Sequence, residues 1–108
     1  FTFNFLSMQN AECRVIEPNG KIAKKELRRD NVQNQLTDLY NLVANNCNTI
    51  EIVNIPKTNE LAIVDENGLN KPSECKPNPT AQRYIFEQTG RVIPLVGNVV
   101  IVDSKFIM

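Results

Sequence analysis

The sequence contains no histidine and no tryptophan, and it has only three cysteines in 108 residues. The lack of histidine excludes Ser-His-Asp and Cys-His catalysis, as well as histidine-containing metal sites. Cys13, Cys47 and Cys75 are odd in number and too far apart for a CxxC motif. We therefore expect reduced thiols in an intracellular, cytoplasmic protein, and we predict neither a metal ion nor a cofactor.

Neither sign of charge is in surplus, because 12 basic and 12 acidic residues cancel. A general nucleic-acid binder usually carries excess basic charge, and a DNA mimic needs excess acidic charge. No apolar run approaches the about 20 residues that span a bilayer. The N-terminal FTFNFLS lacks the basic region and cleavage site of a signal peptide. Nucleic acid and membrane are thus disfavoured as general partners.

Glycine is also scarce, and the four glycines form neither GxGxxG nor GxxxxGK, so no nucleotide-binding loop is predicted. The length indicates one domain, which we place at residues 9–108. We interpret residues 1–8 as a cloning remnant or an N-terminal extension, with Met8 as a plausible native start. The alternation of Phe1, Phe3 and Phe5 would also suit an added strand.

The first half of the domain predicts a β-hairpin and a helix. CRVIE (13–17) reads as a strand and PNG (18–20) as a turn. KIAKKELRR then reads either as a second strand through about residue 27, which we favour, or as a weakly amphipathic helix. A helix then begins at Asp30, which with Gln33 fits a capping box. Its apolar stripe consists of Val32, Leu36, Leu39, Tyr40 and Val43, and the asparagines at 45–48 are predicted to end it.

The second half predicts another hairpin, a helix and a last strand. TIEIVNI (49–55) and ELAIVDE (60–66) read as antiparallel strands, and Asn78-Pro79 reads as the start of a helix that Gly90 ends. The continuous apolar run from Val99 to Val102 is typical of a central strand that is buried on both faces. The order is β-β-α-β-β-α-β, so we predict an α+β fold with a mixed, mostly antiparallel sheet of about five strands.

These elements carry motifs that resemble a small family designated only as a domain of unknown function, found mostly in phages, plasmids and other mobile elements. The shared motifs, in order, are IEP (16–18), IEIV (50–53), VDENG (64–68), NPTA (78–81) and VGNVVIVD (96–103). The resemblance covers residues 13–103, and the loop between Gly68 and Asn78 departs most from the family pattern. It implies an intracellular protein linked to a mobile element, and it supplies no activity.

Candidate binding residues cluster around that loop. Asp65 and Glu66 end a strand, where solvation and turn formation compete with a binding edge for a ligand or cation. Cys75 precedes a helix N-terminus beside Lys71 and Lys76, and both features lower the pKa of a thiol. Asn78 reads mainly as a helix cap. The remaining candidate in this region is Arg83.

The only basic cluster, KKELRR, contains Lys24, Lys25, Arg28 and Arg29. A solvated face is the simpler interpretation, and a phosphate or acidic-partner contact is the alternative. Three functions follow, in order of preference. The first is a non-catalytic binding module that acts on a host protein or sequesters a small ligand. The second is a small enzyme using Asp65, Glu66 and Arg83, and the third is a DNA-associated accessory protein using the basic cluster. An exposed edge strand, such as 60–66 or the Phe-rich N-terminal segment, would allow pairing with a second copy.

Overall fold

The structure is a computed structural model, and it describes residues 10–44 and 46–108. The expectations for residues 1–8 lie outside these ranges. The predicted order β-β-α-β-β-α-β is confirmed. In chain order, the elements are β1 (Ala11–Ile16), β2 (Ile22–Leu27), α1 (Val32–Val43), β3 (Ile50–Ile55), β4 (Glu60–Asp65), α2 (Pro79–Thr89) and β5 (Val99–Asp103).

The last strand, β5, lies between the two hairpins, so the strand order is β2-β1-β5-β4-β3. All pairings of the described strands are antiparallel, whereas a mixed, mostly antiparallel sheet was expected. Residues 99–102 are buried on both faces, as predicted from the apolar run. The prediction that 60–66 is an edge strand is wrong, because β4 pairs with β3 on one side and β5 on the other. The edges are β2 and β3.

The helices cover opposite faces of the sheet. Strand side chains alternate between the two faces, so β5 contributes Val99 and Ile101 to one core and Val100 and Val102 to the other. Helix α2 packs on the first core through Ala81 and Ile85. Helix α1 packs on the second, whose other buried members are Cys13, Val15, Leu27, Leu39, Val43 and Ile63.

The ends of α1 differ from prediction by one or two residues. Asn31, rather than Asp30, is the N-cap, and its side chain accepts a hydrogen bond from the Asn34 N–H at 2.8 Å. Asp30 supports this cap by accepting from the Asn31 N–H. The helix ends at Val43, and Ala44 takes a positive φ of 62° where an asparagine was expected. Val32 of the predicted apolar stripe is 60% exposed, whereas the polar Gln35 is buried.

Candidate functional site

Asp65 and Glu66 separate at the end of β4. The Asp65 side chain is only 2% exposed, and its Oδ2 accepts a hydrogen bond from Lys71 Nζ at 2.8 Å. Its Oδ1 accepts from the Asn67 N–H at 2.8 Å, which forms the predicted turn. The Asp65 carboxylate is buried and paired with the Lys71 ammonium instead of being hydrated, so the interpretation of Asp65 as a solvated strand end is wrong. Glu66 is exposed.

Lys71 joins two loops as well as neutralising Asp65. Its ammonium also donates to the carbonyl of Asn46 at 3.3 Å, and Asn46 Nδ2 donates to Glu74 Oε2 at 3.2 Å. These contacts hold the segment after β4 against the segment that follows α1. The loop between Gly68 and Asn78 is thus held in place by the contacts of its own Lys71 and Glu74 side chains.

Cys75 lies inside this arrangement. Cys75 is 2% exposed, and its N–H donates to the Lys71 carbonyl at 2.8 Å. Its sulfur lies close to Gly68, since a Cβ added to that glycine would be 3.7 Å from the sulfur. Lys76 is exposed, and its carbonyl accepts from the Gly97 N–H. The Cys75 side chain is therefore buried within the loop.

The pKa values of the other two thiols, Cys13 and Cys47, are raised above their ordinary value. Burial raises the pKa of the Cys13 thiol to about 11. Burial also raises the pKa of Cys47, with a smaller contribution from the nearby charge of Asp65. Neither environment favours the thiolate that nucleophilic chemistry requires.

Asn78 is a cap, as predicted, but it also holds the fold together. It is fully buried, its Oδ1 accepts from the Ala81 N–H, and its Nδ2 donates to the carbonyls of Ile16 and Gly97 at 2.9 Å each. Arg83 is exposed on α2, which covers the sheet face opposite α1. Side chains alternate along β4, so Asp65 lies with Ile63 on the sheet face that α1 covers, and Val64 lies on the other face. Asp65 and Arg83 are therefore on opposite sides of the sheet and are not brought together.

The basic cluster does not form one surface. Lys24 and Lys25 are neighbours on β2, so their side chains point to opposite faces. Arg28 forms an ion pair with Asp38 at 2.9 Å, and the Arg29 guanidinium lies 4.9 Å from the centre of the Phe106 ring. Two of the four positive charges thus already have intramolecular partners.

The Arg28–Asp38 pair gives a prediction for acid stability. Hydrogen bonds from Arg28 hold the pKa of Asp38 below its ordinary value. An aspartate with a lowered folded-state pKa stabilises the fold above its unfolded pKa of about 3.9, and this contribution is lost as the pH falls further. The free energy of unfolding, measured with urea from neutral to acidic pH, should therefore fall less steeply for Asp38→Asn than for the unmodified chain. Glu87→Gln, at an exposed position on α2, should leave the profile unchanged, and an unaltered profile in Asp38→Asn would contradict the assignment.

A polar cluster that the sequence did not reveal lies beside α2. Glu60 accepts hydrogen bonds from Arg14 at 2.8 Å, from Thr58 at 2.9 Å and from the Tyr84 hydroxyl. The Arg14 guanidinium also lies 5.3 Å from the centre of the Tyr84 ring. These side chains satisfy one another, so the cluster fastens α2 to β1 and β4. A cavity of about 180 Å³ beside it is lined by the charged side chains of Glu12, Lys24 and Asp103.

The outer edge of β3 is the clearest feature open to a partner. The Glu66 N–H donates to the Thr49 carbonyl, so by antiparallel alternation Glu51 and Val53 direct their backbone groups towards β4. Ile50, Ile52 and Asn54 consequently direct their N–H and C=O groups outwards. No described strand lies beyond β3. Ile52 is 48% exposed.

An apolar groove runs beside this edge on the α1 face. It has a volume of about 120 Å³. Its lining residues come from α1, β3 and the C-terminal segment: Val32, Gln35, Leu36, Leu39, Ile50, Ile52, Ile107 and Met108. The Gln35 side chain holds the C-terminal segment in place, because it donates to the Phe106 carbonyl at 2.8 Å and accepts from the Met108 N–H at 2.9 Å.

No family model, curated protein or solved structure matches the chain. Within residues 10–44 and 46–108, no helix is long and apolar enough to cross a membrane. The same ranges hold no group of three or more Cys, Asp and Glu side chains placed to bind a metal ion.

Proposed function

We propose that this protein is a non-catalytic interaction module, and that it binds an extended segment of a partner protein along the open edge of β3. The observation that carries the proposal is the row of outward N–H and C=O groups at Ile50, Ile52 and Asn54 beside an apolar groove. Strand addition uses such backbone groups for affinity and adjacent pockets for alternate side chains.

The geometry also defines the chemistry of the bound segment. Its backbone must be extended, and every second side chain must be apolar to enter the groove between α1 and β3. Ile52 and Val32, which are 48% and 60% exposed, would be covered by those side chains. Glu51 is the only charged residue within β3, so the edge presents little charge to repel an uncharged strand.

A peptide tests the proposal directly. The probe is a fluorescein-labelled peptide of alternating threonine and valine with a lysine at each end, and fluorescence anisotropy measures its Kd. The matched control has the same side chains but is N-methylated at alternate backbone nitrogens, which removes the donors on one edge. We expect binding to weaken by about tenfold or more on methylation, because several hydrogen bonds are lost. Equal binding of the two peptides would contradict strand addition, and so would no binding of either at a protein concentration where the chain is monomeric.

A further inference from the structure

We propose that β3 of a second copy of this chain occupies the β3 edge, so that two chains related by a two-fold axis form one continuous antiparallel sheet. The inference rests on the proposed function and names the partner for the same edge. A two-fold contact requires one surface patch to be complementary to itself. Whether the β3 edge is complementary to itself depends on the residues of the two sheet edges and on the possible registers of β3.

The two edges of the sheet are protected differently. The β2 edge carries three charged residues in its six positions, Lys24, Lys25 and Glu26, and all three are exposed. The β3 edge carries one, Glu51, among Ile50–Ile55. Charged side chains on an edge strand are a common device against pairing with another chain. Two copies are therefore expected to join through β3 and not through β2.

The backbone pattern selects one register. If the axis passes through Ile52, the outward groups of Ile50, Ile52 and Asn54 all meet outward groups of the second copy, which gives about six hydrogen bonds. An axis at Glu51 places two glutamates directly opposite each other, which is destabilising. An axis at Val53 places Ile50 opposite Pro56, which has no N–H to donate.

The same register joins the apolar surfaces of the two copies. With the axis at Ile52, each Ile52 side chain lies opposite its counterpart on the α1 face, where the two grooves meet. On the other face, Glu51 lies opposite Val53 of the second copy and is not opposed by a like charge. The chain has no net charge, so no long-range repulsion opposes association.

The test uses a matched pair of substitutions, Ile52→Lys and Ile22→Lys. Both isoleucines lie on edge strands and are about half exposed, at 48% and 53%. Sedimentation equilibrium of the full chain should show a dimer whose Kd rises at least about tenfold in Ile52→Lys, since a charge then faces its own copy across the axis. The dimer should be unchanged in Ile22→Lys. Far-UV circular dichroism checks that both variants fold.

A second measurement tests the register without depending on Ile52→Lys. In a Cys47→Ser background, Ile52→Cys should give an intermolecular disulfide when a low-molecular-weight disulfide oxidises the two thiols and is itself reduced to two thiols. Ile22→Cys in the same background should not. Cross-linking of both cysteines alike would contradict the register, and a chain that stays monomeric at all concentrations would overturn the inference. A monomer that still distinguishes the two peptides above would leave the proposed function standing, whereas a monomer that binds neither would remove both.

Discussion

Replacing Asn78 by leucine is expected to lower the free energy of unfolding by about 4 kcal/mol, a large part of the about 5–15 kcal/mol that stabilises a domain. The Asn78 amide donates to the carbonyls of Ile16 and Gly97, and its oxygen caps α2 at Ala81. Leucine has the same branching at Cγ but bulkier methyl groups and no polar atoms, so both carbonyls lose their side-chain donor in a fully buried setting. Urea unfolding followed by circular dichroism measures the loss.

Asn31→Ala provides the matched control, because Asn31 is also an asparagine N-cap but is exposed and caps only Asn34. Its loss should cost about 1 kcal/mol, the ordinary contribution of a cap. Asn78→Asp separates the two roles of Asn78 further. Aspartate keeps the cap acceptor but has no amide donor, so it should remain strongly destabilised. Similar costs at positions 31 and 78 would show that Asn78 acts only as a cap.

Local signals predicted most of the fold because their causes are local. Asn78-Pro79 and Gly90 marked the ends of α2, since the cap, the fixed φ of proline and the positive φ of 73° at Gly90 involve near neighbours. The N-cap of α1 was missed by one residue because Asp30 and Asn31 are both favourable caps. Only the reach of the Asn31 side chain to the Asn34 N–H decides between them.

Contacts between distant residues were not predictable in the same way. Glu60 and Tyr84 lie 46 and 70 positions after Arg14 along the chain, and no spacing rule links the three residues. Asp65 appeared solvated because nothing in the sequence shows that Lys71 folds back over it. Gln35 interrupts an apolar stripe, and its partners are the carbonyls of Arg28 and Phe106 and the Met108 N–H.

The placement of β5 explains the wrong prediction of the sheet edge. Two hairpins and a fifth strand can be ordered in several ways, and the apolar run of β5 indicates only that it is central. Because β5 pairs with β1 and β4, it leaves β2 and β3 as the edges. One edge is charged and the other is flanked by an apolar groove. The proposed function therefore follows from the topology and not from a motif.

Replacing Lys71 by methionine is the second change expected to be strongly destabilising. Methionine fills much of the space of the lysine stem but leaves the carboxylate of Asp65 buried without its cation. Removing the partner of a buried carboxylate such as that of Asp65 costs about 3–5 kcal/mol. Urea unfolding at neutral pH measures this loss.

The reverse substitution, Asp65→Asn, should cost less, because the Lys71 side chain is 20% exposed against 2% for Asp65 and its ammonium can turn towards water. The double variant Asp65→Asn/Lys71→Met should recover much of the stability lost in Lys71→Met, since a neutral amide still accepts from the Asn67 N–H. If the double variant is no more stable than Lys71→Met, the loss comes from the packing of the lysine stem, and the ion pair does not hold this loop.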